Sequence, residues 1–247
     1  MIFSFKNYSN LLKKINKTKK IILFSQYNKR KNNFLILRHD IEYFLEPALK
    51  LAEIEKKNNV KSTFFFQTTS IYNIFENENF YLIKKIKKLG HDFGVHYDAH
   101  FLKENKLDNK KSLSKMIDSI EYFFNIKIKA ISCHRPKKYY FDPKYKNTLN
   151  VYDKNFLKNV KYISDSQQVF RDNIFETLSN FNKIQLLVHD YTWSKKGKTW
   201  QKNIKDYFIN NFRRKKIYFN KTILDWEKGL KMRSKQDKKM FNKFLNK

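Results

Sequence analysis

Short apolar runs that favour β-strands alternate along this chain with segments of helical periodicity. The strand-like runs are rich in β-branched or aromatic residues and lie at 34–37, 62–66, 92–96, 126–132, 162–164 and 184–188. Helical patterns lie at 45–57, 80–89, 112–124 and 202–212. Strands that alternate with helices favour parallel βα units, so the sequence predicts an α/β fold, either an open doubly wound sheet or a closed barrel.

Polar side chains occur at or just after the C-terminal end of five of these runs. These positions are Arg38-His39-Asp40, His96, His134-Arg135, Asp165 and His189-Asp190. In both architectures the carboxyl ends of parallel strands meet on one side, where active sites form. The sequence therefore predicts one polar site on this side of the sheet.

Two histidines four residues apart, His96 and His100, are suited to bind one metal ion, because neutral imidazole is the commonest protein ligand for zinc and related metals. Asp40 or Glu42 supplies a third, anionic ligand, and the other carboxylate is free to act as a base. Cys133 is the only cysteine, which excludes a cysteine-rich structural site and an intrachain disulfide. The plainer interpretation, packed histidines beside a capping or solvated acidic pair, stays open from spacing alone.

Three further side chains complete a hydrolytic hypothesis. Arg135 would fix a carboxylate by a bidentate hydrogen bond and keep it ionised. His189 would act as the general acid, with Asp165 orienting its imidazole. A hydrogen-bonded histidine at the edge of the core is the alternative for His189.

Six segments resemble, in order and approximate spacing, the motifs of the polysaccharide deacetylases, the NodB-homology carbohydrate esterases. They are 37–42 (LRHDIE), 62–66 (STFFF), 90–100 (GHDFGVHYDAH), 134–136 (HRP), 162–166 (YISDS) and 187–189 (LVH) followed by Trp193. The resemblance covers about two thirds of the chain, from Phe34 to Trp193. It implies a distorted (β/α) barrel of about seven parallel strands, a divalent metal, usually zinc, and hydrolysis of an N- or O-acetyl group on a sugar.

The resemblance also implies roles for individual residues. They are Asp40 as general base, Glu42, His96 and His100 as metal ligands, Arg135 as the residue that orients the base, His189 as general acid with Asp165 as its partner, and Tyr97, Pro136 and Trp193 as substrate-binding residues. Two positions depart from the family pattern: Glu42 stands where the family has Asp, and Asp190 stands where it has Pro. Glu can also ligate zinc, so metal binding remains expected.

The net charge of the chain indicates which classes of partner it can attract. The chain has 53 Lys and Arg against 23 Asp and Glu, a formal net charge of +30, which attracts polyanions. We expect an acetylated sugar or glycan precursor as the substrate, and a nucleotide- or lipid-linked form suits this charge. Peripheral contact with an anionic membrane also fits, whereas no specific nucleic-acid partner is expected because the sequence lacks the usual nucleic-acid-binding motifs.

A chain of 247 residues with 41% hydrophobic content can bury a substantial core. With no linker-like stretch and no repeat, we expect a single deacetylase-like domain over 1–247. It has a motif core at 34–193, an N-terminal helix at 1–20 and a basic C-terminal tail at 228–247. No apolar segment has the length of a signal peptide core or a membrane span, so a cytoplasmic location is expected.

The leading functional hypothesis is a metal-dependent sugar deacetylase in cell-surface polysaccharide biosynthesis. One alternative is a catalytically degenerate deacetylase fold that binds sugar without hydrolysis, motivated by Glu42 and Asp190. The other is a basic protein that binds nucleic acid or an anionic surface and whose histidines are incidental.

Overall fold

The computed structural model describes residues 2–136 and 148–245. The strands are β1 (Lys20–Ile22), β2 (Phe34–Ile41), β3 (Thr63–Gln67), β4 (Asp92–Tyr97), β5 (Ala130–Cys133), β6 (Leu149–Asn150), β7 (Lys161–Ser164) and β8 (Lys183–His189). The α-helices are α1 (Phe5–Thr18), α2 (Leu45–Lys57), α3 (Asn77–Lys88), α4 (Ala99–Glu104), α5 (Asn109–Phe124), α6 (Lys154–Asn159), α7 (Ile174–Asn180) and α8 (Trp200–Leu245). Short 3₁₀ turns lie at Phe24–Gln26 and Ser166–Gln168.

The strands form one curled, parallel sheet. Seven of them follow the order β6-β5-β4-β3-β2-β8-β7, and β1 pairs with the first half of β2. Every pairing among the described strands is parallel. The two edges approach each other, since the ring of Tyr152, just after β6, lies 6.1 Å from that of Tyr162 on β7. The predicted distorted (β/α) barrel of about seven parallel strands is confirmed.

Alternation along β2 decides which side chains enter the barrel. Successive residues of a strand point to opposite faces. Phe34 and Ile36 pack in the interior cluster, whereas Leu35 and Leu37 pack against the outer helices. The same alternation places Asp40 inside the barrel, at the carboxyl end of the strand, so the apolar residues that begin β2 fix the direction of the polar residues that end it.

The outward face of β2 leads to a buried polar network centred on Glu55 of α2. His39 Nε2 lies 2.6 Å from Glu55 Oε1, and Ser62 Oγ donates to Glu55 Oε2 at 2.5 Å. Tyr8 from α1 donates its hydroxyl to the same carboxylate. His91 Nδ1 accepts from the backbone N–H of Ser62 at 3.2 Å. These contacts account for His39 and His91 as structural residues that join two helices to the sheet.

Burial would raise the pKa of Glu55, but its neighbours, His39 first among them, lower that pKa below the ordinary value. The carboxylate is therefore the stable form inside the fold. It accepts hydrogen bonds from hydroxyl groups that would otherwise be buried without an acceptor.

The predicted strands and helices are all present, whereas the shortest elements, β1, β6, α4, α6 and α7, were not predicted. The helix at 45–57 is correct, whereas the predicted strand at 126–132 begins only at Ala130. Strands of two or three residues, such as β1 and β6, and helices of six or seven residues carry too few positions for a periodic signal. The predicted helix at 202–212 is the start of the 46-residue α8, because no glycine or proline stop follows residue 212 closely.

Contacts divide the chain into two compact units, Met1–Asn203 and Ile204–Lys247. The first contains the sheet and every site residue predicted from the sequence. The second consists of the remainder of α8 and the residues that follow it. None of the described helices combines the length and apolar character that crossing a bilayer requires.

Candidate active site

Five side chains meet where the parallel strands end. Asp40 lies at the end of β2 and Glu42 just beyond it, His96 lies near the end of β4, His134 follows β5, and His189 ends β8. All of them line a cavity of about 880 Å³. The strand register brings Asp40 directly beside His189. The sequence prediction of one polar site on this side of the sheet therefore agrees with the structure.

Glu42 is the centre of the arrangement. Its Oε1 atom lies 3.7 Å from His96 Nε2, 3.7 Å from His134 Nε2 and 4.0 Å from His189 Nε2. The Glu42 side chain is 15% exposed, so it faces the cavity rather than bulk solvent. Three imidazoles thus direct the same ring atom toward one carboxylate oxygen.

Each imidazole is oriented through its other nitrogen. His96 Nδ1 lies 3.3 Å from the carbonyl oxygen of Ser132, and His134 Nδ1 lies 3.3 Å from Asp98 Oδ2. A carbonyl or carboxylate oxygen can only accept, so Nδ1 carries the proton in these pairs and Nε2 keeps its lone pair toward Glu42. Outer acceptors of this kind fix the tautomer of metal-ligating histidines.

The donor set fits a divalent metal ion. Ligand atoms of Glu42, His96 and His134 all lie within 4.8 Å of one another. A tetrahedral Zn²⁺ with ligands at about 2.1 Å separates them by about 3.4 Å, close to the 3.7 Å observed from Glu42 to each imidazole. His96 Nε2 is buried, and the described residues offer it no hydrogen-bond partner. A buried lone pair aimed at a carboxylate is what a bound cation would satisfy.

The charge states of Glu42 and His134 also fit a metal site. Burial would raise the pKa of Glu42, but the neighbouring imidazoles of His96, His189 and His134 lower it to about 2. The pKa of His134 is lowered, first by burial and then by His96. Glu42 is therefore anionic and His134 neutral at neutral pH, the states in which both ligate metals.

His189, unlike His134, has a raised pKa. Its Nδ1 lies 2.7 Å from Asp165 Oδ1, and Trp193 Nε1 donates to the second oxygen of the same carboxylate at 2.9 Å. Burial would lower the pKa of His189, but Asp165 and then Glu42 raise it to about 9. A histidine that holds its proton at neutral pH is an acid rather than a metal ligand.

Asp40 is held from one side only. Its Oδ2 accepts from Ser132 Oγ at 3.0 Å and from Arg38 Nη2 at 3.3 Å. Arg38 is fully buried and also donates to the Tyr152 hydroxyl at 2.7 Å. Asp40 Oδ1 is buried and has no partner within the part of the chain that the structure describes. One carboxylate oxygen is thus anchored and the other remains free to accept a proton.

Asp190 anchors the segment that carries Glu42. Its carboxylate accepts the backbone N–H groups of Glu42 at 3.1 Å, Tyr43 at 3.1 Å and Phe44 at 2.7 Å. The side chain is fully buried, and burial raises its pKa to about 7. Asp190, one of the two departures from the family pattern noted above, thus fixes the backbone just after β2.

The structure places His100 outside the group formed by Glu42, His96 and His134. The chain changes from strand to helix after Tyr97, so a four-residue spacing does not put His96 and His100 on one helical face. His100 is the second residue of α4, and its Nδ1 lies 2.9 Å from Glu104 Oε2. The imidazole that lies with Glu42 and His96 is that of His134, whereas the sequence predicted His100 there.

Arg135 also differs from its expected position. It is exposed, with its backbone in the left-handed region at φ 48°, and the guanidinium beside Asp40 belongs to Arg38. Arg135 and Pro136 line the cavity. Substrate binding by Pro136 stays a prediction, whereas Arg135 is at the rim of the cavity rather than against Asp40.

Tyr97 and Trp193 lie behind the site instead of in its wall. Tyr97 is buried in the outer hydrophobic cluster because His96, its neighbour on β4, faces the interior. Trp193 is fully buried and packs at 4.8 Å from Phe3 and 5.0 Å from Tyr8, between ring centroids. Its contact with the site is the hydrogen bond to Asp165, so it positions the partner of His189.

Several residues of the site escaped the sequence prediction. The sequence alone places His134 at a strand end without marking it as a candidate ligand, and it gives Arg38 no role. Ser132 could have been found from alternation, since it precedes His134 by two residues and shares its face. Asp98 carries the signal of a helix N-cap, accepting from the His100 and Phe101 N–H groups, and nothing in the sequence shows its second contact, with His134.

No family model matches the sequence, and no curated protein matches it. Among solved structures, the chain is similar to a chitin deacetylase from Colletotrichum lindemuthianum, with 18% identity, a TM-score of 0.43 and coverage of 76% of this chain and 85% of that one. A peptidoglycan deacetylase from Bacillus subtilis gives 13% identity, a TM-score of 0.45 and coverage of 73% and 85%. A family 4 carbohydrate esterase pseudoenzyme from Bacillus anthracis gives 15% identity and a TM-score of 0.42, with coverage of 76% of this chain and 63% of that one.

Proposed function

We propose that this protein is a metal-dependent hydrolase that removes the acetyl group from an amino sugar or an acetylated glycan precursor. The observation that carries the proposal is the convergence of three imidazole Nε2 atoms on Glu42 Oε1, beside the unpartnered oxygen of Asp40. The order of the motifs at 37–42, 90–100, 134–136 and 187–189, which resembles that of polysaccharide deacetylases, supports an acetylated sugar as the substrate.

Glu42, His96 and His134 would hold the metal ion, and this donor set suits Zn²⁺ in a catalytic site with a position open to substrate or water. A bound ion of this kind polarises a carbonyl oxygen and lowers the pKa of water. Asp98 and Ser132 orient the two imidazoles, and Asp190 holds the backbone of Glu42.

Asp40 is the general base of the proposed reaction. Its free Oδ1 accepts a proton from the attacking water while the water oxygen bonds to the acetyl carbon. Arg38 and Ser132 hold Oδ2, which leaves Oδ1 as the oxygen that accepts the proton. Arg38 also offsets the negative charge of Asp40 inside the barrel.

His189 is the general acid. Asp165 keeps its imidazole protonated at neutral pH and directs Nε2 toward the cavity. The proton passes from Nε2 to the leaving nitrogen or oxygen of the sugar as its bond to the acetyl carbon breaks. The products are acetate and a free amine or hydroxyl.

The cavity has walls that suit a charged sugar derivative. Tyr43, Tyr191 and Trp200 supply aromatic surface, and Arg135 and Arg171 supply positive charge. Aromatic faces bury the apolar side of a ligand, and arginine pairs with phosphate by two parallel hydrogen bonds. A nucleotide- or lipid-linked amino sugar, as used in cell-surface polysaccharide biosynthesis, fits these walls.

The proposal is tested by incubating the full chain with Zn²⁺ and N- and O-acetylated amino sugars, free and linked to nucleoside diphosphates, and measuring released acetate. We expect release that stops on chelation and returns when Zn²⁺ is added back. Metal binding without acetate release from any member of the panel would instead favour the degenerate sugar-binding alternative. Salt-sensitive oligonucleotide binding without bound metal would favour the basic binding protein.

Replacing His134 with alanine is expected to weaken Zn²⁺ binding by at least about tenfold, because losses around a metal site typically cost 10- to 100-fold in affinity. His100→Ala is the matched control. His100 pairs with Glu104, whereas His134 Nε2 lies 3.7 Å from Glu42 Oε1. A competitive chelator titration measures both variants. Loss of the metal in His100→Ala with full retention in His134→Ala would return His100 to the ligand set.

A further inference from the structure

The unit formed by Ile204–Lys247 carries a regular apolar stripe on α8. Phe212, Phe219 and Trp226 are spaced seven residues apart. Ile223 and Leu230 are also seven residues apart, and each lies four residues after an aromatic residue of the stripe. At 3.6 residues per turn, these five positions lie on one side of the helix. Phe212, Phe219, Trp226 and Leu230 are 61 to 68% exposed, so the stripe is not part of the core.

Basic residues occupy the opposite side with the same period. Arg214, Lys221, Lys228 and Lys235 are also seven residues apart, and each of the first three lies two residues after an aromatic residue of the stripe. A shift of two residues is about 200° around an α-helix. Over residues 204–247 there are 14 Lys and Arg and 4 Asp and Glu, so the segment is strongly positive.

The charge distribution argues against a second copy of this helix as the occupant of the stripe. A coiled coil requires an apolar seam sustained over several heptads, whereas the next positions of this stripe are Arg233 and Asp237. Two segments with an excess of ten positive charges would also repel each other. An anionic partner satisfies both the apolar stripe and the charge.

We propose that residues 204–245 form an interfacial helix that lies on an anionic phospholipid surface, with the apolar stripe at the boundary between headgroups and acyl chains. A positive helix with Trp, Phe and Leu on one side is typical of such segments. Lys216 and Arg233 border the stripe and reach lipid phosphates, and the remaining basic residues add long-range attraction. The inference is independent of the reaction in the barrel.

Cosedimentation of the full chain with vesicles tests the proposal. We expect binding to vesicles of phosphatidylcholine mixed with phosphatidylglycerol, weaker binding in high salt, and little binding to phosphatidylcholine alone. A shift of Trp emission to shorter wavelength accompanies binding when Trp226 enters the boundary. Equal binding to neutral and anionic vesicles would overturn the proposal.

A matched pair of double variants tests the stripe. Phe219→Ser with Trp226→Ser removes two stripe residues, whereas Ile217→Ser with Leu224→Ser removes two exposed apolar residues that lie off it. We expect affinity for anionic vesicles to fall at least about tenfold in the first variant, because two large apolar side chains no longer leave water on binding. In the second we expect a change below about twofold, because those side chains stay in water.

Circular dichroism establishes that both variants keep their helix content. Equal loss of vesicle binding in the two variants would overturn the role of the stripe. Sedimentation equilibrium tests whether the stripe binds a second copy of the chain instead. A parent protein that is a dimer and a stripe variant that is a monomer would also overturn the proposal.

Discussion

Asp40→Asn is expected to lower acetate release by about 100-fold or more while Zn²⁺ binding is retained, because general base catalysis contributes on the order of 10² to 10⁴. Asparagine keeps the shape of the side chain and an acceptor for Ser132, and it cannot take a proton from water. Steady-state acetate release and a chelator titration on the same preparation separate the two effects.

Asp172→Asn is the matched control for Asp40→Asn. Asp172 also lines the cavity, but its carboxylate is 49% exposed and pairs with Lys161 at 2.6 Å. Its replacement should change turnover by less than about twofold, because an exposed ion pair contributes little to the stability of the fold that holds the site. Wild-type turnover in Asp40→Asn would remove Asp40 from the proposed reaction.

Glu55→Gln is expected to lower the free energy of unfolding by about 3 to 5 kcal/mol, the usual effect of removing one partner from a buried charged cluster. The amide nitrogen of glutamine would face donors from Tyr8, His39 and Ser62 that now share the carboxylate. Urea unfolding followed by circular dichroism measures the change. Glu53→Gln on the same helix is the control, because Glu53 is 42% exposed and pairs with Lys50, so its loss should cost less than about 1 kcal/mol.

The effect of Glu55→Gln should depend on pH in a defined direction. The pKa of Glu55 is lower in the folded state than its ordinary value, so its contribution to stability is present above the unfolded pKa and is lost as pH falls through the folded pKa. The difference in unfolding free energy between the parent and Glu55→Gln should therefore shrink in acid. A difference that is small at neutral pH, or that grows in acid, would contradict the role given to this network.

The barrel and the direction of its site could be predicted because both depend on local patterns. Short apolar runs that alternate with helical segments define the strands, and polar residues at five strand ends must meet on one side of a parallel sheet. Asp40, Glu42, His96 and His189 follow from this reasoning together with the family resemblance. The pairing of His189 with Asp165 was also predicted, since both lie at strand ends, and β7 and β8 are neighbours in the sheet.

The same reasoning could not predict which imidazole joins that of His96 beside Glu42, or which arginine lies beside Asp40. Whether His100 or His134 faces Glu42 depends on where β4 ends and α4 begins. His100 lies in the first turn of α4, which Asp98 caps, and its imidazole pairs with Glu104. Arg38 was harder to assign, because a fully buried arginine becomes plausible only when Asp40 and Tyr152 are seen beside it. These contacts join residues far apart in the chain, for which spacing carries no signal.

Anomalous diffraction at the zinc absorption edge, from crystals of the full chain grown with Zn²⁺, tests the central claim most directly. We expect a single strong peak about 2.0 to 2.2 Å from His96 Nε2, His134 Nε2 and a carboxylate oxygen of Glu42. A peak between His96 and His100 that leaves His134 unliganded would contradict the proposed ligand set. The absence of any peak at Glu42 would contradict the metal centre itself.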